Sequence, residues 1–174
     1  MSALANKQKV TDAIEKELFR GHTAGPFTIP PFDDLHCSPI GAVIKKDDTC
    51  RLIMDLSQPK GWSIDENICK EDFSVQYTHF DRATDLVFEA GKSCLISKVD
   101  IKHAFRLIPV RKSDWKLLGI IGGKGIFFVD VRLSFGLRSS PGIFNRFADL
   151  ICWVLRTVFN LVCRCRCIMQ MTFS

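Results

Sequence analysis

No apolar run in this chain is long enough to cross a bilayer. The longest late stretch, residues 150–163, is cut by Arg156 and Asn160 and falls short of the roughly 20 residues a membrane span requires. A secretory signal is missing too, because Lys7, Lys9, Asp12, Glu15, Lys16 and Glu17 interrupt the first twenty residues where an unbroken apolar core belongs. No membrane partner is expected, and the location expected is intracellular, in cytoplasm or nucleus, not secreted. A Cys-x-x-Cys pair is also lacking. The eight cysteines therefore point to reduced thiols rather than to zinc or a disulfide framework. Cys37, Cys50, Cys69, Cys94 and Cys152 read as small buried hydrophobes, while Cys163, Cys165 and Cys167 alternate with arginine and have no histidine nearby.

Several catalytic patterns are absent as well. The glycine-rich run 119–125 puts three residues between Gly119 and Gly123-Lys124 where a phosphate-binding P-loop needs four, and Gly125 replaces the hydroxyl residue that would hold magnesium. A tight hairpin turn explains these glycines better. His22, His36, His79 and His103 form no zincin-like pair, and no Gly-x-Ser-x-Gly elbow supplies a nucleophile. There is no internal repeat and no low-complexity segment.

What is present is an ordinary globular composition: 174 residues, 47% hydrophobic and 25% charged, near the size of one domain. The net charge of +5 is unevenly spread. Residues 1–91 hold ten Lys/Arg against fifteen Asp/Glu, whereas 92–138 hold ten against three. Such a basic segment suits a polyanion, because clustered positive charge attracts phosphates and releases their counterions, although a solvated basic face with no partner explains it equally well.

The spacing of Val10, Ile14 and Leu18 predicts a short amphipathic helix stopped by Gly21. A proline-rich loop follows over 25–39. Residues 41–46 and 51–56 are β-prone runs joined by Asp47-Asp48-Thr49, which predicts a hairpin with a basic tip. After an irregular stretch over 61–77, Phe80, Ala83, Val87 and Ala90 predict a helix ended by Gly91, and residues 93–101 alternate as a strand with Asp100 at its far end. A second hairpin is predicted from 117–121 and 126–131. Ser140-Pro141 supplies an N-cap and a first-turn proline for a long helix with Ile143, Phe147, Leu150, Ile151, Val154 and Val158 at helical spacing.

Asp100 is the one acid whose position invites chemistry. On its own it reads as a helix cap or salt-bridge partner; a carboxylate at a strand end is also where magnesium-assisted phosphoryl transfer puts a metal ligand.

Three blocks, in order, resemble reverse transcriptases, most closely those of the DIRS-type (tyrosine-recombinase) retrotransposons: Ser38-Pro-Ile-Gly-Ala-Val-Ile-Lys-Lys-Asp-Asp-Thr-Cys-Arg-Leu-Ile-Met-Asp-Leu-Ser57, Lys98-Val-Asp-Ile-Lys-His-Ala-Phe-Arg106, and Leu133-Ser-Phe-Gly-Leu-Arg-Ser-Ser-Pro-Gly-Ile-Phe-Asn145. The resemblance implies an α+β fold made of the fingers and partial palm of a right-hand polymerase. It assigns 1–75 and 108–139 to a fingers-like part, 76–107 and 140–160 to a partial palm, and 161–174 to an unrelated tail of the kind a frameshift produces. By resemblance, Asp100 is the catalytic residue that binds Mg2+, Arg51 with Lys45 or Lys46 grips the triphosphate, Phe105 is a steric gate selecting deoxynucleotides, and Phe135 and Gly136 lie under the nascent base pair. As a plain sequence feature Phe105 reads as core. The implied partners are an RNA or DNA template with primer and deoxynucleoside triphosphates; the oligomeric state stays open.

Two departures qualify this. Ser134 stands where these elements usually carry proline. The aromatic residue followed shortly by Asp-Asp that should come soon after the long helix, and that supplies the remaining metal ligands, is missing there: no acidic residue follows Asp149. The implied function is a fragment of an RNA-directed DNA polymerase, using two-metal nucleotidyl transfer when complete, truncated before that motif and inactive alone. The alternative is a non-catalytic nucleic-acid-binding remnant.

Overall fold

The structure is a computed structural model that describes residues 7–44, 46, 48, 50–77, 79–95 and 101–158. The chain divides into two compact units, Met1–Lys70 with Phe105–Ser140 and Glu71–Ala104 with Pro141–Ser174.

In the first unit, helix α1 (Lys7–Phe19) buries Val10, Ala13 and Ile14, the face that four-residue spacing places on one side. Gly21, at φ 67°, ends it: its amide donates to the Leu18 carbonyl at 2.9 Å, a left-handed stop that glycine adopts without steric cost. Strand β1 (Thr23–Phe27) lies where the proline-rich loop is predicted to begin. It pairs antiparallel with β5 (Phe127–Asp130), and the register shifts between Ala24 and Phe27. β1 is an edge strand, since the sheet order is β1-β5-β4 with β4 at Gly119–Ile121. Proline is tolerated at such an edge or bulge, which is why Thr-Ala-Gly-Pro-Phe forms a strand that composition disguises. The predicted hairpin over 126–131 is present as β4 and β5 around the Gly123–Gly125 turn.

The other predicted hairpin is β2 (Ile40–Ile44) with β3 (Cys50–Met54), pairing Ile40 with Met54 and Val43 with Arg51. Val10 and Ile14 of α1 close over Ala42, Met54, Leu56, Leu118 and Ile120 to form this unit's core. Apolar burial of this kind is the dominant favourable term in folding.

In the second unit, α2 (Phe80–Ala90) ends at Gly91 (φ 80°), whose amide reaches the Val87 and Phe88 carbonyls. Of the apolar positions on α2 only Leu86 is buried, while Phe80 and Phe88 are exposed. Helix α3 (Ser140–Thr157) buries Phe144, Ala148 and Cys152. Of the apolar residues read at helical spacing, Phe147, Leu150, Ile151 and Val158 are exposed. Gly142 lets the 71–73 turn lie against α3, because a Cβ there would sit 2.7 Å from the Phe73 carbonyl oxygen.

Ser140 does not cap α3 as expected. It is the first helical residue, fully buried, and its hydroxyl donates to the Ser134 carbonyl at 2.6 Å, closing the 134–140 turn. The strand predicted over 93–101 falls largely on residues 96–100, outside the described set. The five described cysteines form no disulfide; Cys152 is buried, Cys37, Cys50 and Cys94 are half-buried, and Cys69 is exposed, against the buried reading. Among the described residues no helix is long and apolar enough to cross a membrane.

The tightest backbone approach is at Gly136, where any Cβ would overlap the Met54 carbonyl oxygen. Gly136→Ala should cost about 3 kcal/mol, the upper end of overpacking penalties. Gly123→Ala, with open space around it, should change stability by roughly 0.5 kcal/mol or less. Urea melts of the two variants check this, and equal midpoints would remove the constraint.

Candidate functional site

The candidate site grows from three separate stretches of the first unit: β3, the short 3-10 turn Ala104–Leu107, and the segment after β5. Phe105 is 2% exposed, and its ring centroid lies 5.3 Å from that of Phe135 at an interplanar angle of 48°. The Arg51 guanidinium carbon is 6.0 Å from the Phe135 ring centroid, and that of Arg106 is 5.9 Å away. Both distances suit cation–π attraction. Arg51, Phe105 and Phe135, predicted as site residues from distant blocks, are thus brought into one cluster. Gly136 joins it by adjacency and by its closure on Met54.

The remaining predicted residues stand differently. Lys46 is exposed in the β2–β3 turn. Lys45 and Asp100 lie outside the described residues. Phe105 is as buried as its core reading requires.

Behind the aromatic pair is a knot of charge that sequence reasoning missed. Arg106 Nη1 donates to both Asp130 oxygens at 2.6 and 2.5 Å, and Arg106 Nε lies 3.3 Å from Glu17 Oε2. Asp130 is 1% exposed. Glu17 also meets His22 Nδ1 at 3.0 Å and Arg20 Nη1 at 3.1 Å. Burial raises the Asp130 carboxyl above its ordinary range against the opposing pull of Arg106. For Glu17, burial likewise raises the pKa, but Arg106, His22 and Arg20 together outweigh it and the net shift is downward. A small cavity opens beside the knot, lined by Glu17, Thr23, Arg106, Asp130, Ser134 and Phe135. The signal for the knot was available: a lone aspartate inside Phe-Phe-Val-Asp-Val demands a buried cation.

Magnesium takes several hard oxygen donors. Among the described residues no three His, Cys, Asp or Glu side chains are arranged to hold a metal ion, and the two carboxylates that converge, Glu17 and Asp130, are engaged by Arg106. The described residues do not fit a magnesium site.

No protein-family model and no curated protein matches the chain. Solved structures do. A foamy viral protease–reverse transcriptase in complex with double-stranded DNA superposes with a TM-score of 0.59 at 17% identity, covering 87% of this chain and 23% of that one. The prototype foamy virus protease–reverse transcriptase gives 0.57 at 17%, covering 90% and 18%. The fold is reverse-transcriptase-like. The chain spans less than a quarter of either protein, and the mixed helix-and-strand architecture is what the likeness establishes.

Two measurements follow from the knot. Arg106→Met leaves Asp130 buried without its cation and should cost about 3–5 kcal/mol, with much of the loss recovered when Asp130→Leu is added; urea melts check this, and an unchanged single variant would refute it. Glu17→Gln should destabilise by roughly 1.5–3 kcal/mol at neutral pH. Because the folded pKa of Glu17 lies below its ordinary 4.5, that contribution is complete above 4.5 and is lost as pH falls through the folded value. The stability gap to wild type should therefore close in acid, whereas a gap constant down to pH 3 would contradict the pairing.

Proposed function

We propose that this chain is the fingers and partial palm of a retroelement RNA-directed DNA polymerase, most like the DIRS-type elements. The observation that carries the reading is the convergence of Arg51, Phe105 and Phe135, 84 residues apart from first to last, on a reverse-transcriptase-like fold. The two interleaved units support it: the first corresponds to the fingers and the second to the palm portion.

In this reading the Arg51 guanidinium contacts the triphosphate of an incoming deoxynucleotide, since its planar fork matches phosphate oxygens. The steric-gate role of Phe105 comes from the resemblance; in this structure the ring is 2% exposed and packs on Phe135. Lys46, exposed in the β2–β3 turn, adds positive charge, and by the resemblance Lys45 or Lys46 joins Arg51 at the triphosphate. The Phe135-Gly136 backbone lies under the nascent pair, and the basic 92–138 stretch follows the template and primer phosphates without regard to sequence. Asp100, five residues before Phe105, is the carboxylate assigned to Mg2+ in the complete enzyme. No Asp-Asp pair follows α3 within these 174 residues, so in this reading the chain by itself binds nucleic acid and nucleotide without joining them.

Primer extension on an RNA template with magnesium and all four deoxynucleotides tests this. The expected result is no product, alongside primer–template binding that weakens by orders of magnitude between 50 and 200 mM salt, as about six or more phosphate contacts require. Extension abolished by Asp100→Ala would overturn the inactivity; absence of any nucleic-acid binding would overturn the reading itself.

A further inference from the structure

Trp62 is 79% exposed, yet the loop that carries it is fixed on both sides. The Gly61 amide donates to Glu66 Oε1 at 3.0 Å and the Ser63 amide to Glu66 Oε2 at 3.3 Å. The two peptide N–H groups that bracket Trp62 thus end on one carboxylate. The Trp62 amide itself donates to the Pro59 carbonyl at 3.2 Å, and the Asn67 side chain donates to the Ser63 carbonyl at 3.2 Å. Ser63, next to the indole, is fully buried.

The loop is also tied to the candidate site. Asp65, buried beside the core, accepts the Arg138 amide at 2.8 Å, and the Arg138 guanidinium donates to the Ile68 carbonyl at 3.1 Å. Arg138 lies two residues beyond Gly136 on the same turn. The acids of the loop are therefore occupied: Asp65 by an amide, and Glu66 by two amides with Arg138 nearby. Lys60 is exposed and forms no ion pair with any described residue.

A large aromatic ring held out in water on a rigid stem contributes nothing to a core. Its loss of conformational freedom has already occurred in folding, which is the condition for tight binding through few contacts. An exposed ring two residues from an exposed lysine matches one chemistry closely: a base stacked on the ring with its phosphate near the cation. Every base has a π-face, but only an unpaired one can offer it to the side of the strand; a blunt duplex keeps its bases stacked on each other.

We propose that Trp62 is a stacking platform for an unpaired base of single-stranded nucleic acid, with Lys60 meeting the adjacent phosphate. The proposal rests on the nucleic-acid reading above and adds a site to it, on the loop tied through Arg138 to the turn that carries Phe135 and Gly136.

The test is fluorescence anisotropy with the 174-residue chain and two labelled duplexes, one blunt and one with a five-nucleotide 5′ overhang. Trp62→Ala should weaken overhang binding roughly 5- to 100-fold, the range for one lost base stack, and leave blunt-duplex binding within about twofold. Trp62→Phe should restore most of the overhang affinity. A 5-bromouracil in the overhang should, on irradiation, crosslink to the peptide containing Trp62, a readout in the wild-type chain that needs no variant to fold. Overhang affinity unchanged in Trp62→Ala, or lost equally for both duplexes, overturns the proposal while the nucleic-acid reading stands, and leaves the indole to a protein contact. Failure of the wild-type chain to bind either duplex overturns both.

Discussion

Arg106 is the side chain on which the first unit turns. Its guanidinium joins α1 through Glu17 and β5 through Asp130, and its own backbone follows Phe105 directly. Burying three charges costs several kcal/mol per ion before their attraction returns it, so the knot is weak as a source of stability. Its effect is geometric. The paired guanidinium lies 5.9 Å from the Phe135 ring, and Phe105 packs on the same ring at 5.3 Å. An apolar replacement of the same volume would fill the space and leave the aromatic pair free to choose among rotamers.

The 134–140 turn completes what Arg106 starts. Ser140 donates back to the Ser134 carbonyl, Arg138 is held by Asp65 and Ile68, and Gly136 closes on Met54 with no room for a side chain. A turn fixed at its start, middle and end can present Phe135 on one side and brace the Trp62 loop on the other. Placing the site on rigid elements in this way is what binding through a handful of contacts requires.

Local signals were strong enough to read much of this from the sequence. The β2–β3 hairpin, α1 with its Gly21 stop, α2 with Gly91 and the β4–β5 hairpin all carry the periodicity and terminal residues that physics demands, and the structure contains them. β1 was hidden because proline argues against a strand unless the partner strand and the bulge are known. On α3 the spacing marked apolar positions without saying which are covered, because that depends on what packs there: Phe144, Ala148 and Cys152 are buried while Phe147 and Leu150 are exposed. Of the site, Arg51, Phe105, Phe135 and Gly136 were legible from motif resemblance. Glu17 and Asp130 were not, since Arg106 joins two carboxylates 113 positions apart; the apolar run around Asp130 called for a buried cation without saying which one.

On a fold whose structural neighbours include protease–reverse transcriptases, the arginine–aromatic cluster is the feature from which the proposed nucleotide contact is argued. Its most direct test is the footprint of a deoxynucleoside triphosphate on this chain, mapped residue by residue from amide chemical shifts in solution. A nucleotide site at the cluster requires the largest changes at Arg51, Phe105 and 135–136, with α2 unmoved. A footprint centred elsewhere, or a titration with no shifts at millimolar nucleotide, would contradict it.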